Sequence, residues 1–170
     1  MGSLSNYEIE AIAKHYHLPL IDCCMKDELP SSIQDGIYII NLESSTQGDG
    51  THWTCLIVQK HIALFFDSFG APPSTEIIEF VRKRRGIRFA FSNEIIQDLN
   101  SENCGFFCLY LCWFVHRHKA SGSIVQLVDG FTRLFSGDSK NNDAILRHLF
   151  KQIPDTNPPK AVLKLLRQKH

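Results

Sequence analysis

The spacing of apolar and polar residues changes several times along this 170-residue chain, and each change marks an element. In residues 5–17, Ile9, Ile12 and Ala13 share one helical face. Ser5 stands at the cap position and Glu8 completes a capping box, so an amphipathic helix is expected there. Gly36–Leu42 is rich in β-branched residues and reads as a strand, followed by the polar loop Ser44–Gly50. His52–Val58 and His61–Asp67 read as two further strands joined by a tight turn at Gln59-Lys60, that is, a hairpin. After the loop Ser68–Pro73, Ser74 caps a helix that runs to about Arg85. Glu76 and Glu79 lie near its start and four cations at its end, before Gly86, which suits the helix dipole. Ile87–Phe91 is another strand, Asn100–Glu102 a polar turn, and Cys104–His118 a strongly apolar helix. Two or three further helices follow within 123–135, 140–152 and 159–168. In the last, Lys160, Lys164, Arg167 and Lys169 alternate with Val162, Leu163, Leu165 and Leu166, giving a basic outer face. Strands flanked by helices in this order imply an α+β fold: a central mixed sheet with the Cys104 helix buried against it, and no regular βαβ repeat. The length suits one domain over residues 1–170.

Composition narrows the class. With 44% hydrophobic and 21% charged residues, the chain is neither disordered nor of low complexity. Its zero net charge argues against a uniformly basic nucleic-acid binder. That zero is a cancellation, because residues 1–70 hold 3 basic and 9 acidic side chains and residues 71–170 hold 15 and 9. The longest apolar run, Cys104–Val115, has 12 residues, short of the ~20 that span a bilayer, so no membrane association is expected. The N-terminus lacks a basic-then-apolar signal pattern. Met1-Gly2 fits the start of a myristoylation site, but Asn6 stands where Ser or Thr is wanted. Six cysteines (Cys23, Cys24, Cys55, Cys104, Cys108 and Cys112) lie in apolar or helical surroundings, which points to free thiols in a reducing compartment and not to secretion. Cys104, Cys108 and Cys112 sit at i, i+4 and i+8 of one helix. The outer two are about 12 Å apart along the axis, too far to share a metal, so Cys108 and Cys112 belong to the core.

Three separated segments carry the chemistry: Gly50-Thr51-His52-Trp53 entering a strand, Phe65-Phe66-Asp67-Ser68-Phe69-Gly70 leaving the next, and Gln97-Asp98 followed by Cys104-Gly105. A thiol at a helix N-terminus feels the positive end of the dipole, which favours thiolate, and a nearby imidazole favours it further. With the turn at 59–60, the residue facing His52 lies near 67, where a carboxylate can orient the ring. Gln97 offers a side-chain N–H and Cys104 a backbone N–H to a developing oxyanion. Singly, each residue has an ordinary structural role: core thiol, packing histidine, turn aspartate. In this order and spacing they form a Cys-His-Asp constellation.

Thr51-His52-Trp53, Asp67-Ser68-Phe69-Gly70, Gln97 and Asn103-Cys104-Gly105-Phe106-Phe107-Cys108 resemble the adenovirus endopeptidase (adenain) family of cysteine proteases, which shares its fold with the SUMO proteases. Asp27-Glu28-Leu29-Pro30, Gly36–Leu42 and the Asp67–Gly70 loop look closest to the versions in Maverick/Polinton elements and virophages. The resemblance implies a cysteine endopeptidase that cleaves capsid precursors during virion maturation. Its nucleophile would be Cys104, its base His52, its orienting acid Asp67 and its oxyanion donor Gln97. Trp53, Asn103 and Gly105 would line the substrate cleft, and Trp53 would favour a small residue such as Gly before the scissile bond. An isopeptidase acting on ubiquitin-like conjugates and a silent binding module are the alternatives, with a Cys/His acyltransferase of related fold as a weaker one. The resemblance further implies a monomer in the virion and host cell interior. Adenovirus enzymes have Glu where Asp67 stands, and they use DNA and a disulfide-linked peptide as cofactors. Residues 82–97 contain no cysteine, so no cofactor is expected to be required. Arg82, Lys83, Arg84, Arg85 and Arg88 read first as a solvated helix end, and secondly as a weak DNA contact.

Overall fold

The computed structural model of the chain describes residues 3–168; the Met1-Gly2 start and Lys169 of the basic tail lie outside the described residues. Helix α1 spans Asn6–His15 and opens with the expected capping box. Ser5 Oγ accepts the Glu8 N–H at 3.2 Å, and the Ser5 N–H donates to Glu8 Oε2 at 2.9 Å. Five strands follow as β1 (Leu20–Met25), β2 (Gly36–Asn41), β3 (Trp53–Gln59), β4 (Ile62–Phe66) and β5 (Arg88–Phe91), with α2 (Thr75–Arg82) between the last two. Then come α3 (Cys104–His118), α4 (Ile124–Thr132), a 3₁₀ turn (Ser139–Asn141), α5 (Asn142–Lys151) and α6 (Lys160–Leu166).

The strands lie side by side in chain order. β1–β2 and β4–β5 are parallel, and the two central pairings are antiparallel. The central strands are buried on both faces, hence their unbroken apolar runs. Tyr38, Ile40, Leu56, Val58 and Phe65 pack with Ile77, Phe80 and Val81 of α2. Ile37, Ile39, Cys55, Ile57 and Phe66 face the larger core, which contains Phe107, Cys108, Leu111 and Cys112 of α3. This is the expected α+β arrangement of a mixed sheet with the Cys104 helix against it. Among the described residues, no helix is long and apolar enough to cross a membrane.

Three features differ from the sequence expectation. Strand β1 was not anticipated, because Asp22-Cys23-Cys24-Met25 is neither alternating nor β-branched; as an edge strand it is held by its pairing to β2. The hairpin turn lies at Lys60-His61, with Gln59 paired to Ile62. Asp35 Oδ2 accepts the Lys60 N–H at 2.9 Å, and Lys60 adopts φ 54°, which moves the turn by one residue. Helix α2 stops at Arg82 and not near Arg85, because the Lys83 and Arg84 N–H groups tighten onto Phe80 and Val81 carbonyls.

Candidate active site

The start of α3 meets the sheet where β3 begins and β4 has ended. Under the observed register Cys55 pairs with Phe66, so Trp53 lies beyond the β3–β4 ladder. Its N–H is directed instead at Cys104 Sγ, 3.4 Å away. The sheet thus donates a backbone hydrogen bond to the candidate nucleophile. Cys104 itself is 2% exposed. Burial alone would raise its pKa, but the hydrogen bond with His52, the Trp53 N–H, the His52 charge and the Ser3 hydroxyl outweigh it and leave the thiol below its usual value.

His52 reaches this thiol from the mouth of β3. Its Nε2 lies 2.7 Å from Asp67 Oδ1, so Nε2–H donates to the carboxylate and Nδ1 is the ring nitrogen left to serve Cys104. Asp67 is 1% exposed. The turn is shifted by one residue and the β3–β4 ladder ends at the Cys55–Phe66 pair, so Asp67 meets His52 beyond the ladder, as the residue expected there, and Phe69 stacks on the ring with centroids 4.7 Å apart at 27°. The Phe69 N–H donates to Asp67 Oδ1 at 2.8 Å, so one side chain both covers His52 and, through its backbone, steadies the acid. Burial opposes the charged imidazole, yet the Asp67 hydrogen bond and the interaction with Cys104 prevail and push the His52 pKa up to about 9. Both shifts favour a thiolate–imidazolium pair.

Gln97 is buried and pinned at both ends of its amide. Oε1 accepts the Ser68 hydroxyl at 2.5 Å, and Nε2 donates to the Ser101 carbonyl at 2.8 Å, with Ser101 Oγ at 3.4 Å. The amide thus donates to both Ser101 acceptors, and the 3.4 Å bond to Oγ is the longer and more easily exchanged of the two. Ser101 ties this group to the helix start, because its Oγ accepts the Asn103 N–H at 3.2 Å and donates to Asp143 Oδ1 at 2.8 Å. Ser68 O accepts both the Ile96 and Gln97 N–H groups, which locks the acid loop to the glutamine segment. Gly70 permits this approach: it has φ +71°, and a Cβ there would lie 2.7 Å from the Asn93 carbonyl oxygen.

The three residues expected at the cleft are all buried next to Cys104. Trp53 is buried, and its Nε1–H donates to the Leu4 carbonyl at 2.7 Å. This bond draws the N-terminal segment across the site, so that Ser3 Oγ lies 3.9 Å from Cys104 Sγ. Gly105 lets the wall close, since a Cβ there would meet Leu4 at 3.1 Å and Trp53 at 3.4 Å. Asn103 is the N-cap of α3; its carbonyl accepts the Phe106 and Phe107 N–H groups, while its side chain makes no capping bond. Cys108 and Cys112 are fully buried. Cys108 Sγ donates to the Trp53 carbonyl at 3.4 Å and Cys112 touches Cys55 at 3.6 Å, so both are core thiols.

Sequence reasoning did not assign roles to Ser3, Leu4, Ser68, Phe69, Ser101 or Asp143. Ser68 and Phe69 were visible inside the quoted Asp67–Gly70 motif. Ser101 sits in the spacer between Gln97 and Cys104, but Asp143 is brought in only by the packing of α5.

No protein-family profile matches the chain, and no curated protein matches it. Solved structures do. AvrA, in a delL154 form with IP6 and CoA, superposes with a TM-score of 0.52 at 19% identity, covering 84% of this chain and 63% of AvrA. The likeness is one of fold. The chain spans less than two-thirds of AvrA's length. The ASFV pS273R protease aligns at 15% identity and a TM-score of 0.46, over 79% of this chain and 68% of its own. ChlaDub1 from Chlamydia trachomatis aligns at 15% identity and 0.40, over 93% and 85%.

Proposed function

We propose that the chain is a cysteine endopeptidase that cleaves capsid precursor proteins of a virus, virophage or Maverick/Polinton-type element. The observation that carries this reading is His52 held between Asp67 Oδ1, at 2.7 Å, and the Cys104 thiol. In the proposed reaction the Cys104 thiolate attacks the scissile carbonyl carbon. The carbonyl oxygen becomes an oxyanion, stabilised by the Cys104 N–H and by a Gln97 Nε2–H that exchanges its long 3.4 Å bond to Ser101 Oγ for the oxyanion. His52 then passes its proton to the departing amine as the C–N bond breaks, leaving a thioester. Water attacks the thioester, His52 takes its proton, and the acid product leaves with the thiol restored.

A small residue, Gly above all, is the proposed occupant before the scissile bond. The Trp53 indole bound to the Leu4 carbonyl, with Ser3 beside the thiol, supports a narrow approach to Cys104. The viral assignment is supported by the quoted motifs. No cofactor is proposed as required, and the enzyme is proposed to act as a monomer. A weak DNA contact is proposed at the α2 end. Arg82, Arg85 and Arg88 are exposed there, whereas Arg84 pairs with Asp35, and Lys83 is engaged by the Pro30 carbonyl and the Phe80 ring.

Mass spectrometry of a capsid precursor incubated with the protein tests the reading. New termini after Gly are expected with the wild type and none with Cys104→Ala. Undiminished cleavage by Cys104→Ala would overturn it. Release of ubiquitin-like proteins from conjugates, with the precursor left intact, would select the isopeptidase alternative. A Cys104 no more reactive than a free thiol would select a binding module.

A further inference from the structure

One buried donor beside the site has no partner. Asn41 ends β2, is 1% exposed, and pairs with Trp53 across the β2–β3 ladder. Its Oδ1 accepts the Glu43 N–H at 3.0 Å and the Thr51 N–H at 3.3 Å, so a single oxygen ties both ends of the connection between β2 and β3. The Leu42 N–H donates to the His52 carbonyl at 3.0 Å and closes the same base. Glu43 Oε2 in turn accepts the Gly50 N–H at 2.8 Å. Asn41 Nδ2, by contrast, is buried with no hydrogen-bond partner among the described residues. The amide cannot be turned over to relieve this, because that would set its NH₂ against two N–H donors. Gly50 presses on the same group: it has φ +93°, and a Cβ there would lie 2.5 Å from Nδ2.

A buried amide left half-satisfied calls for an explanation beyond loop closure. The segment it holds supplies one. Thr51 is bonded directly, His52 follows with the imidazole, and Trp53 brings the N–H that meets Cys104 Sγ and the indole that binds Leu4. We propose that Asn41 is a positioning residue for the Cys104–His52 pair: its amide holds the backbone at Thr51, directly before His52, and so sets the depth at which the imidazole meets the thiol. It acts through that backbone and touches no reacting atom. The proposal rests on Cys104 and His52 being the reacting pair.

The rate of Cys104 alkylation by iodoacetamide, followed against pH, tests it without a peptide substrate. Asn41→Ser removes the clamp, and Gly50→Ala displaces it from the opposite side. Both are expected to keep their circular dichroism and to move the low-pH inflection upward by about one unit, which slows alkylation about tenfold at pH values below the wild-type inflection. Phe80→Ala, in the core on the far side of the sheet, is expected to lower the thermal midpoint and leave the inflection in place. Wild-type profiles in both folded variants would overturn the proposal, as would an equal shift in Phe80→Ala. If Asn41→Ser does not fold, Gly50→Ala decides; failure of both to fold would assign Asn41 to the fold alone and also overturn it. An ordinary free-thiol profile in the wild type would instead sink the proposed function.

Discussion

At the scale of single residues, two opposed pKa shifts describe the site. His52 is raised to about 9 despite its burial, and Cys104 is lowered despite its own. The signs set the pH window. As pH rises through the depressed Cys104 value, the thiol ionises while His52 still holds its proton; as pH passes about 9, His52 loses that proton and the pair disappears. Reactivity of Cys104 toward a neutral electrophile should therefore rise below the usual thiol range and hold through neutral pH. Hydrolysis, which needs the imidazolium proton for the leaving amine, should fall near pH 9. In His52→Ala, the rise should move up to the usual thiol range or beyond, because burial is then less opposed. Stopped-flow alkylation and initial-rate profiles check both limbs. His52, Asp67, Gln97 and Cys104 were each legible in the sequence, because their chemistry depends on residue type and order. Asn41 was not: an asparagine ending a strand has no signature, and only its unpaired Nδ2 against Gly50 singles it out.

At the scale of elements, α3 carries the candidate nucleophile on its first residue and the core on most of the others. Phe107, Cys108, Leu111 and Cys112 are fully buried, and Phe107 meets Phe135 at 5.3 Å. Phe107→Ala should cost about 3–5 kcal/mol, measured as a fall in the urea midpoint with little change in slope. Because α3 positions Cys104, activity should be lost at lower urea in that variant as well. The apolar run of α3 and the strong box at Ser5 and Glu8 were readable because burial and capping act locally. The turn at Lys60-His61 was not, since it depends on Asp35, distant in the chain. Strand β1 likewise exists through its pairing with β2, which no local pattern in Asp22–Met25 announces.

At the scale of the whole molecule, the zero net charge conceals two halves. His52 and Asp67 come from the acidic stretch before residue 71, whereas Gln97 and Cys104 come from the basic remainder. The site forms only when β3 and β4 meet α3. Of the basic group at the end of α2, Arg84 is held by Asp35 and Lys83 by Pro30, so fewer cations are available to a polyanion than the composition suggests. Duplex DNA should bind weakly, with a log–log salt slope of about −3 or shallower if only Arg82, Arg85 and Arg88 take part. A fluorescence-anisotropy titration at several salt concentrations checks this, and a steep slope would contradict it. What the sequence by itself determined is the chemistry: a thiol at a helix start, an imidazole, an acid and an amide in a fixed order, within an α+β succession of elements. Those follow from residue type and local periodicity. The tertiary structure decided the loop after β4 that stacks Phe69 on His52 and the end of β4 that leaves the Trp53 N–H to the thiol. It also decided the closing of Leu4 over Gly105, and the bonds from Asn41 Oδ1 to the Glu43 and Thr51 N–H groups. Each depends on contacts between residues far apart in the chain, whose geometry is set by packing and not by the local order of side chains.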